Sequence, residues 1–312
     1  MISLRGLTKR YGETLAVDDL TCDIQAGRVT GFLGPNGAGK STTMRMILGL
    51  DHPTRGRALI AGRPYADLRR PLRAVGAMLD ARAVHPARSG RAHLLAQAQA
   101  NGIPARRVDE VLETVGLAKA ARRPAGTYSL GMSGRLGVAG ALLGDPPVLI
   151  LDEPVNGLDP DGVQWIRRLV RDQAAEGRTV FLSSHLMSEM QVTADHLVVI
   201  GRGRLLSDSA LAEFLAAASP GSAWASVPDP EERSALVRFL TAADGVSVET
   251  SASGELTVGG MSAAELGDLA HHWGVRLHAL SDVRVSLEQA YMNLTARSVE
   301  YASGAAEERG QQ

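Results

Sequence analysis

Residues Gly34-Pro35-Asn36-Gly37-Ala38-Gly39-Lys40-Ser41, followed by Thr42, carry the spacing G-x-x-x-x-G-K-[ST]. That pattern cradles phosphate when a strand leads into it and a helix leads out. Glycine has no Cβ, so backbone N–H groups turn inward on phosphate oxygens, and the helix N-terminus adds partial positive charge. In that setting Lys40 reaches the β- and γ-phosphates of a nucleoside triphosphate, and Ser41 ligates Mg²⁺. A chance glycine-rich turn is the plain alternative. Against it stands the chain's own habit: among 33 Lys plus Arg residues, only Lys9, Lys40 and Lys119 are lysine. A second group of interest is Val148-Leu-Ile-Leu151-Asp152-Glu153, an apolar run that ends in two acids. Parallel sheets bind ligands beyond the carboxyl ends of their strands. There Asp152 would hold Mg²⁺ through water, and Glu153 would orient and deprotonate an attacking water. An Asp–Glu pair at a strand end also serves as a turn or helix cap, so the pair alone decides nothing.

These side chains need a scaffold, and periodicity supplies one. Apolar runs without helical period predict strands over residues 2–7, 15–24, 29–33, 147–151, 178–182 and 196–200. Helical spacing predicts helices over residues 40–50, 162–176 and 186–192, and an Ala- and Arg-rich, mostly helical stretch over 86–126. Strands alternating with helices imply a mainly parallel sheet covered on both faces, with antiparallel strands at the N-terminus. The composition then changes near residues 217–222, a Ser/Pro/Gly linker. Beyond it the order strand (223–227), helix (231–242), strand (246–250), strand (255–258), helix (262–273), strand (276–280) predicts a small ferredoxin-like α+β domain. An amphipathic helix over 286–299 and a polar tail over 301–312 close the chain. The expected organisation is an α/β domain over 1–217 with a helical subdomain near 84–145, then an accessory domain over 222–300.

Bulk properties exclude several classes. The 312 residues exceed one average domain and suit two, and 45% hydrophobic with 21% charged residues is the balance of a chain with a real core. A formal net charge of -1 gives no bulk attraction to nucleic acid or anionic lipid. The single Cys22 cannot make an internal disulfide, which fits a reducing compartment. Met1-Ile2-Ser3-Leu4-Arg5 leads into strand-like sequence, so no secretion signal is expected. No stretch approaches the ~20 apolar residues of a membrane helix, so any membrane role is indirect.

Further residues stand around the loop and the acid pair. Tyr11 precedes the loop; Ser129-Leu130-Gly131-Met132 lies upstream of Asp152; Asn156-Gly157-Leu158-Asp159 follows Glu153; Ser184-His185 closes the next strand. Each is weak alone, since a lone histidine after a strand is commonly structural and a lone tyrosine commonly core. In this order, over residues 1–215, they resemble the ABC ATPase family of P-loop NTPases. The resemblance implies that Tyr11 stacks on adenine and that His185 holds the γ-phosphate and the water. It also implies a head-to-tail sandwich, in which Ser129 and Gly131 of one copy cap the γ-phosphate held by the other. Leu130 and Met132 complete that signature, and Asp159 of the D-loop communicates across the dimer. The implied cofactors are ATP and Mg²⁺. The implied partners are a second copy and a separately encoded membrane permease, with no nucleic acid, at the cytoplasmic face of the cell membrane.

Two departures are visible. The signature continues Ser133-Gly134-Arg135 where the family commonly has Gln or Lys, then Gln-Arg, so its helix opens on weak formers. Asp80 stands at the family's Q-loop glutamine, a Mg²⁺ ligand that also senses the membrane partner; a carboxylate still ligates Mg²⁺ but is shorter and donates no hydrogen bond. The segments Leu130-Gly131-Met132, residues 153–160 and residues 286–295 look like those of subunits that export drugs, antibiotics or antimicrobial peptides. The expected function is therefore ATP-driven export. The alternative is a soluble ABC ATPase acting on a macromolecular complex, although the chain has neither the second ATPase domain nor the coiled-coil insertion such members carry. A nucleotide-sensing module without turnover is disfavoured by Glu153 and His185. The accessory domain is read as stabilising a dimer or touching a partner, with ligand sensing as its other reading.

Overall fold

The computed structural model describes residues 1–80, 83–218, 221–283 and 285–295. Ser219 and Pro220 of the linker, the 296–299 end of the last helix and the 301–312 tail lie outside the described residues. The chain divides into two compact units, Met1–Leu211 and Ala212–Gln312. The division falls at the start of helix α8 (Leu211–Ala218), before the change in composition near residues 217–222.

The first unit opens with β1 (Ile2–Tyr11), β2 (Thr14–Ile24) and β3 (Arg28–Leu33), followed by helix α1 (Lys40–Ile47). Next come β4 (Arg55–Ile60), the short α2 (Pro71–Ala74) and β5 (Val75–Met78). Three helices follow: α3 (Gly90–Ala100), α4 (Ala105–Thr114) and α5 (Leu130–Leu142). The unit closes with β6 (Val148–Leu151), α6 (Pro160–Ala175), β7 (Thr179–Ser183), α7 (Met187–Thr193), β8 (His196–Gly201) and β9 (Arg204–Ala210).

Two sheets result. One is antiparallel, in the order β2-β1-β4; the other is six-stranded, β5-β6-β7-β3-β8-β9, parallel except for the β8–β9 pair. Every residue of β6 and β7 is buried, as expected of strands covered on both faces. Phe32, Ile150, Phe181 and Val198 meet Met44 and Ile47 of α1 and Leu4, Leu20 and Ile60 of the antiparallel sheet in one core. On the opposite face α6 packs on β3 and β7, and α5 on β5 and β6. In α4, Val108, Val111 and Leu112 recur at helical spacing and are buried, so this helix has an apolar seam.

Cys22 is buried in that core; desolvation, with Asp208 and Asp23 nearby, pushes its thiol up to about 12. It is a small core residue and not a nucleophile. Three strands went unread in the sequence. β4 is studded with Arg55 and Arg57, β5 has four residues, and β9 is a half-exposed edge. β4 and β5 are held by pairing to strands far away in the chain, β1 and β6, and β9 by a hairpin with β8.

The second unit contains β10 (Ser222–Ser226), α9 (Pro230–Thr241), β11 (Ser247–Thr250), β12 (Glu255–Gly259), α10 (Ala263–His272) and β13 (Ala279–Asp282). Its sheet is antiparallel in the order β11-β12-β10-β13. Ala223, Ala225, Leu256 and Val258 face Leu236, Leu240 and Leu266 of the two helices in a separate core. Asp229 caps α9 by accepting from the Glu231 and Glu232 N–H groups, and Ser262 with Glu265 forms a capping box on α10. The last strand begins at Ala279 and not at 276, because Val275 first closes the end of α10 through its N–H to the Ala270 carbonyl. Residues 287–295 are helical.

Candidate active site

The carboxyl ends of β3, β6 and β7 lie side by side, since β7 sits between the other two. β3 ends at Leu33 and delivers the glycine loop; Gly39 then caps α1 in a left-handed conformation, φ 103°. A Cβ on Gly39 would stand 2.5 Å from the Ala16 carbonyl oxygen, and one on Gly34 would stand 2.6 Å from that of Ile200. Both approaches are closer than any side chain tolerates, so the loop depends on glycine for backbone contact as well as for φ. Gly39→Ala is expected to cost about 1–3 kcal/mol of stability and to misplace the loop. A lowered melting temperature together with lost nucleotide binding would verify this.

The loop encloses its lysine. Lys40 is buried, and its ammonium donates to the Gly34 carbonyl at 2.6 Å and the Pro35 carbonyl at 3.2 Å. Burial lowers its pKa, and the negative charges of Glu153 and Asp152 oppose that. Ala38 is buried; its N–H donates to the Pro35 carbonyl and its own carbonyl accepts from Gly203. A cavity of about 340 Å³ is lined by Asn36, Gly37, Lys40, Ser41 and Thr42 on one side and Asp152 and Glu153 on the other. The loop and the acid pair, far apart in sequence, therefore share one space.

Beyond β6 the chain turns sharply. Glu153 is left-handed at φ 51°, a costly conformation for a side-chain-bearing residue. The Glu153 carboxylate accepts from the backbone N–H of His185 at 3.3 Å and from His185 Nδ1 at 2.7 Å. A carboxylate only accepts, so Nδ1 carries the proton in this pair. The Ser183 hydroxyl donates to Asp152 Oδ1 at 2.5 Å and accepts from the Glu153 N–H at 2.9 Å. Nothing in the sequence pattern singled out Ser183; its place two residues before His185, on the strand beside β6, was the only signal.

Other expected site residues lie elsewhere. Tyr11 is not part of the cavity lining; its ring is exposed, its hydroxyl donates to Asp51 at 2.9 Å, and the Lys9 ammonium lies over it at 4.8 Å. Ser129 caps α5 by accepting from the Met132 N–H at 3.2 Å, so its hydroxyl sits at a helix N-terminus. Asp159 caps α6 in the same way, accepting from the Gly162 N–H at 2.9 Å. Leu130 packs directly on Gly157, where any Cβ would overlap it, and Gly131 lies close to the Gly157 carbonyl. Residues 130–131 and 157–158 of one chain are thus contiguous. Asp80 is exposed and lines a different cleft, of about 500 Å³, with Arg45, Leu79, His93 and Gln97. The structure brings Ser41 and Asp152 together, and leaves Asp80 outside the space they share.

The oxygen donors of Ser41 and Asp152 suit a hard cation that takes its other ligands from phosphate and water. Among the described residues no cluster of three His, Cys, Asp or Glu side chains could hold a metal on its own. The arrangement has what phosphoryl transfer to water requires: donors for the phosphates, a carboxylate for the metal and a second carboxylate aimed by histidine. No described helix is long and apolar enough to cross a membrane.

Comparison with known proteins agrees with this chemistry. The family model for ABC transporters matches residues 17–156, and a model for a domain of unknown function matches residues 226–288. The chain is 43% identical over 211 residues to the bacitracin transport ATP-binding protein of Bacillus licheniformis, covering 67% of this chain and 69% of that one. It is 35% identical over 206 residues to the lantibiotic transport ATP-binding protein of Streptococcus pyogenes, covering 66% and 89%. Among solved structures, an ATP-binding subunit of an ABC transporter superposes with a TM-score of 0.63 at 27% identity, over 69% of this chain and 91% of the other. A dimeric bacterial ABC transporter cassette shares the fold, with a TM-score of 0.63 at 23% identity over 68% and 99%. By sequence and by the chemistry of its cavity, the chain belongs to the ABC transporter family, as an ATP-binding protein that hydrolyses ATP.

Proposed function

We propose that this chain is the motor subunit of an exporter for antibiotics or antimicrobial peptides, working as a pair of copies on a separately encoded membrane permease. The observation that carries the reading is the facing of Lys40 and Glu153 across one cavity, with His185 at 2.7 Å from the Glu153 carboxylate. Lys40, the loop N–H groups and the N-terminus of α1 bind the triphosphate. Tyr11, exposed and outside the cavity lining, would supply a face for the adenine ring. Ser41 and Asp152 would hold Mg²⁺, which neutralises phosphate charge when bound. Glu153 orients the attacking water and takes its proton, while His185 fixes the carboxylate and the γ-phosphate.

Two copies are needed because Ser129, capping α5, is not among the residues that line the cavity with the phosphate loop. A second copy turned head to tail would lay its Ser129 N–H cluster on the γ-phosphate, as a helix N-terminus does for an anion. Asp159 and Leu130, joined through Gly157, would reach the partner's site as one surface. The dimeric cassette of the same fold supports this arrangement. The bacitracin and lantibiotic relatives support the export reading and the peptide class of cargo.

The test is to ask whether the neighbouring reading frame encodes a multi-span membrane protein, co-express the two and challenge the cells with bacitracin or a lantibiotic. Increased tolerance that vanishes with Lys40→Ala is the expected result. Co-purification with no membrane protein, and unchanged tolerance, would sink the export reading. Asp80 bears on coupling. Because it lies outside the phosphate cavity, Asp80→Gln is expected to leave ATP affinity unchanged while altering the stimulation of hydrolysis by the permease. Paired titrations and ATPase assays with and without the permease separate the two.

A further inference from the structure

Ser183 is the last residue of β7 and is fully buried. Its hydroxyl gives its one proton to Asp152 Oδ1 at 2.5 Å and accepts the Glu153 N–H at 2.9 Å. Both acids at the end of β6 are thereby tied to the neighbouring strand by a single oxygen. The tie matters because Glu153 holds a left-handed φ of 51° and is followed by Pro154. Such a conformation persists only where the surroundings over-determine it. His185, which meets the Glu153 carboxylate at 2.7 Å, lies two residues beyond Ser183 on the same chain segment. One hydroxyl thus sets the spacing between the segment that carries the histidine and the segment that carries the carboxylates.

We propose that Ser183 is a positioning residue for hydrolysis: it aims the Glu153 carboxylate at the attacking water and holds Asp152 toward the cation. This rests on the functional reading of Glu153 given above. Without the hydroxyl, the part-buried Glu153 N–H loses its acceptor and the Asp152 carboxylate loses a donor. The turn then relaxes away from its left-handed geometry, and the carboxylate swings off line. Lys40 and the phosphate loop are untouched by that change, so binding and chemistry separate.

The experiment compares purified wild type, Ser183→Ala, Ser183→Thr and Ser183→Val for steady-state ATP hydrolysis, with Glu153→Gln as the inactive reference. A cavity of about 20 Å³, room for roughly one water or methyl, borders Ser183, Leu182, Val155 and Met190 and accommodates the added carbon of Thr or Val. The expected result is a kcat about 10- to 100-fold lower in Ser183→Ala, with KM for ATP unchanged and a higher Mg²⁺ requirement. Ser183→Thr recovers most of kcat, and the isosteric Ser183→Val does not. That last pair decides the matter even if Ser183→Ala fails to fold. A wild-type kcat in Ser183→Ala or Ser183→Val overturns the inference, as does equal impairment of Thr and Val. A wild-type chain without turnover overturns the functional reading itself, whereas an active wild type beside an unimpaired Ser183→Val overturns this inference alone.

Discussion

Replacing Glu153 by glutamine is expected to lower ATP hydrolysis about 10²- to 10⁴-fold while ATP binding persists, the span associated with loss of a positioned general base. The exchange keeps the size and most of the hydrogen-bonding capacity of the side chain, so the Ser183 tie to the backbone N–H and the turn at φ 51° remain. What is lost is the negative charge and the basic oxygen, which now accepts from His185 at 2.7 Å. With binding intact and turnover blocked, the pair of copies should accumulate as an ATP-bound dimer. Size-exclusion chromatography with Mg²⁺ and ATP reads that directly. Turnover at the wild-type rate would dismiss Glu153 as the base and leave the acid pair as a turn.

Replacing Lys40 by alanine is expected to weaken ATP binding about 10- to 100-fold, the worth of one charge-assisted hydrogen bond. The ammonium is the buried positive charge of the cavity, held by the carbonyls of Gly34 and Pro35 and opposite two carboxylates. Removing it leaves Asp152 and Glu153 to repel an anionic ligand, so the loss should exceed that of a phosphate contact on an open surface. Arginine is not a remedy: its planar fork binds phosphate in a different geometry from the compact ammonium. A fluorescent nucleotide titration measures the change. Unaltered affinity in Lys40→Ala would show that phosphate is held elsewhere.

The two substitutions differ in how far each could be foreseen. The loop from Gly34 to Ser41 is a contiguous run whose function follows from local rules. Glycines permit the φ values of 81° at Gly37 and 103° at Gly39, and a helix begins at the lysine. The second unit was legible for a related reason: its capping residues Asp229 and Ser262 mark helix starts, and each strand neighbours another in an antiparallel sheet. The strands β4, β5 and β9 were not legible, because Arg55 to Ile60, Val75 to Met78 and Arg204 to Ala210 carry little alternation of their own. β4 and β5 bond to the distant β1 and β6, and such pairing leaves no trace in a local window, whereas β9 is a half-exposed edge that forms a hairpin with β8.

From residue types and spacing alone came the phosphate loop, the acid pair, the likeness to a family and the division into a larger α/β region and a smaller α+β one. Those features depend on neighbours within a turn or a strand, where chemistry and conformation are encoded together. The folded chain alone decided that Lys40 and Glu153 face one cavity, that Asp80 lines another, that Leu130 seats on Gly157 and that Ser183 fastens both acids. The strand order β5-β6-β7-β3-β8-β9, which sets β7 between β6 and β3, brings the loop, both acids and Ser183 to one end of the sheet. Hydrogen-bond registers between strands far apart in the chain set that order, and burial of both sheet faces, not any short motif, selects them.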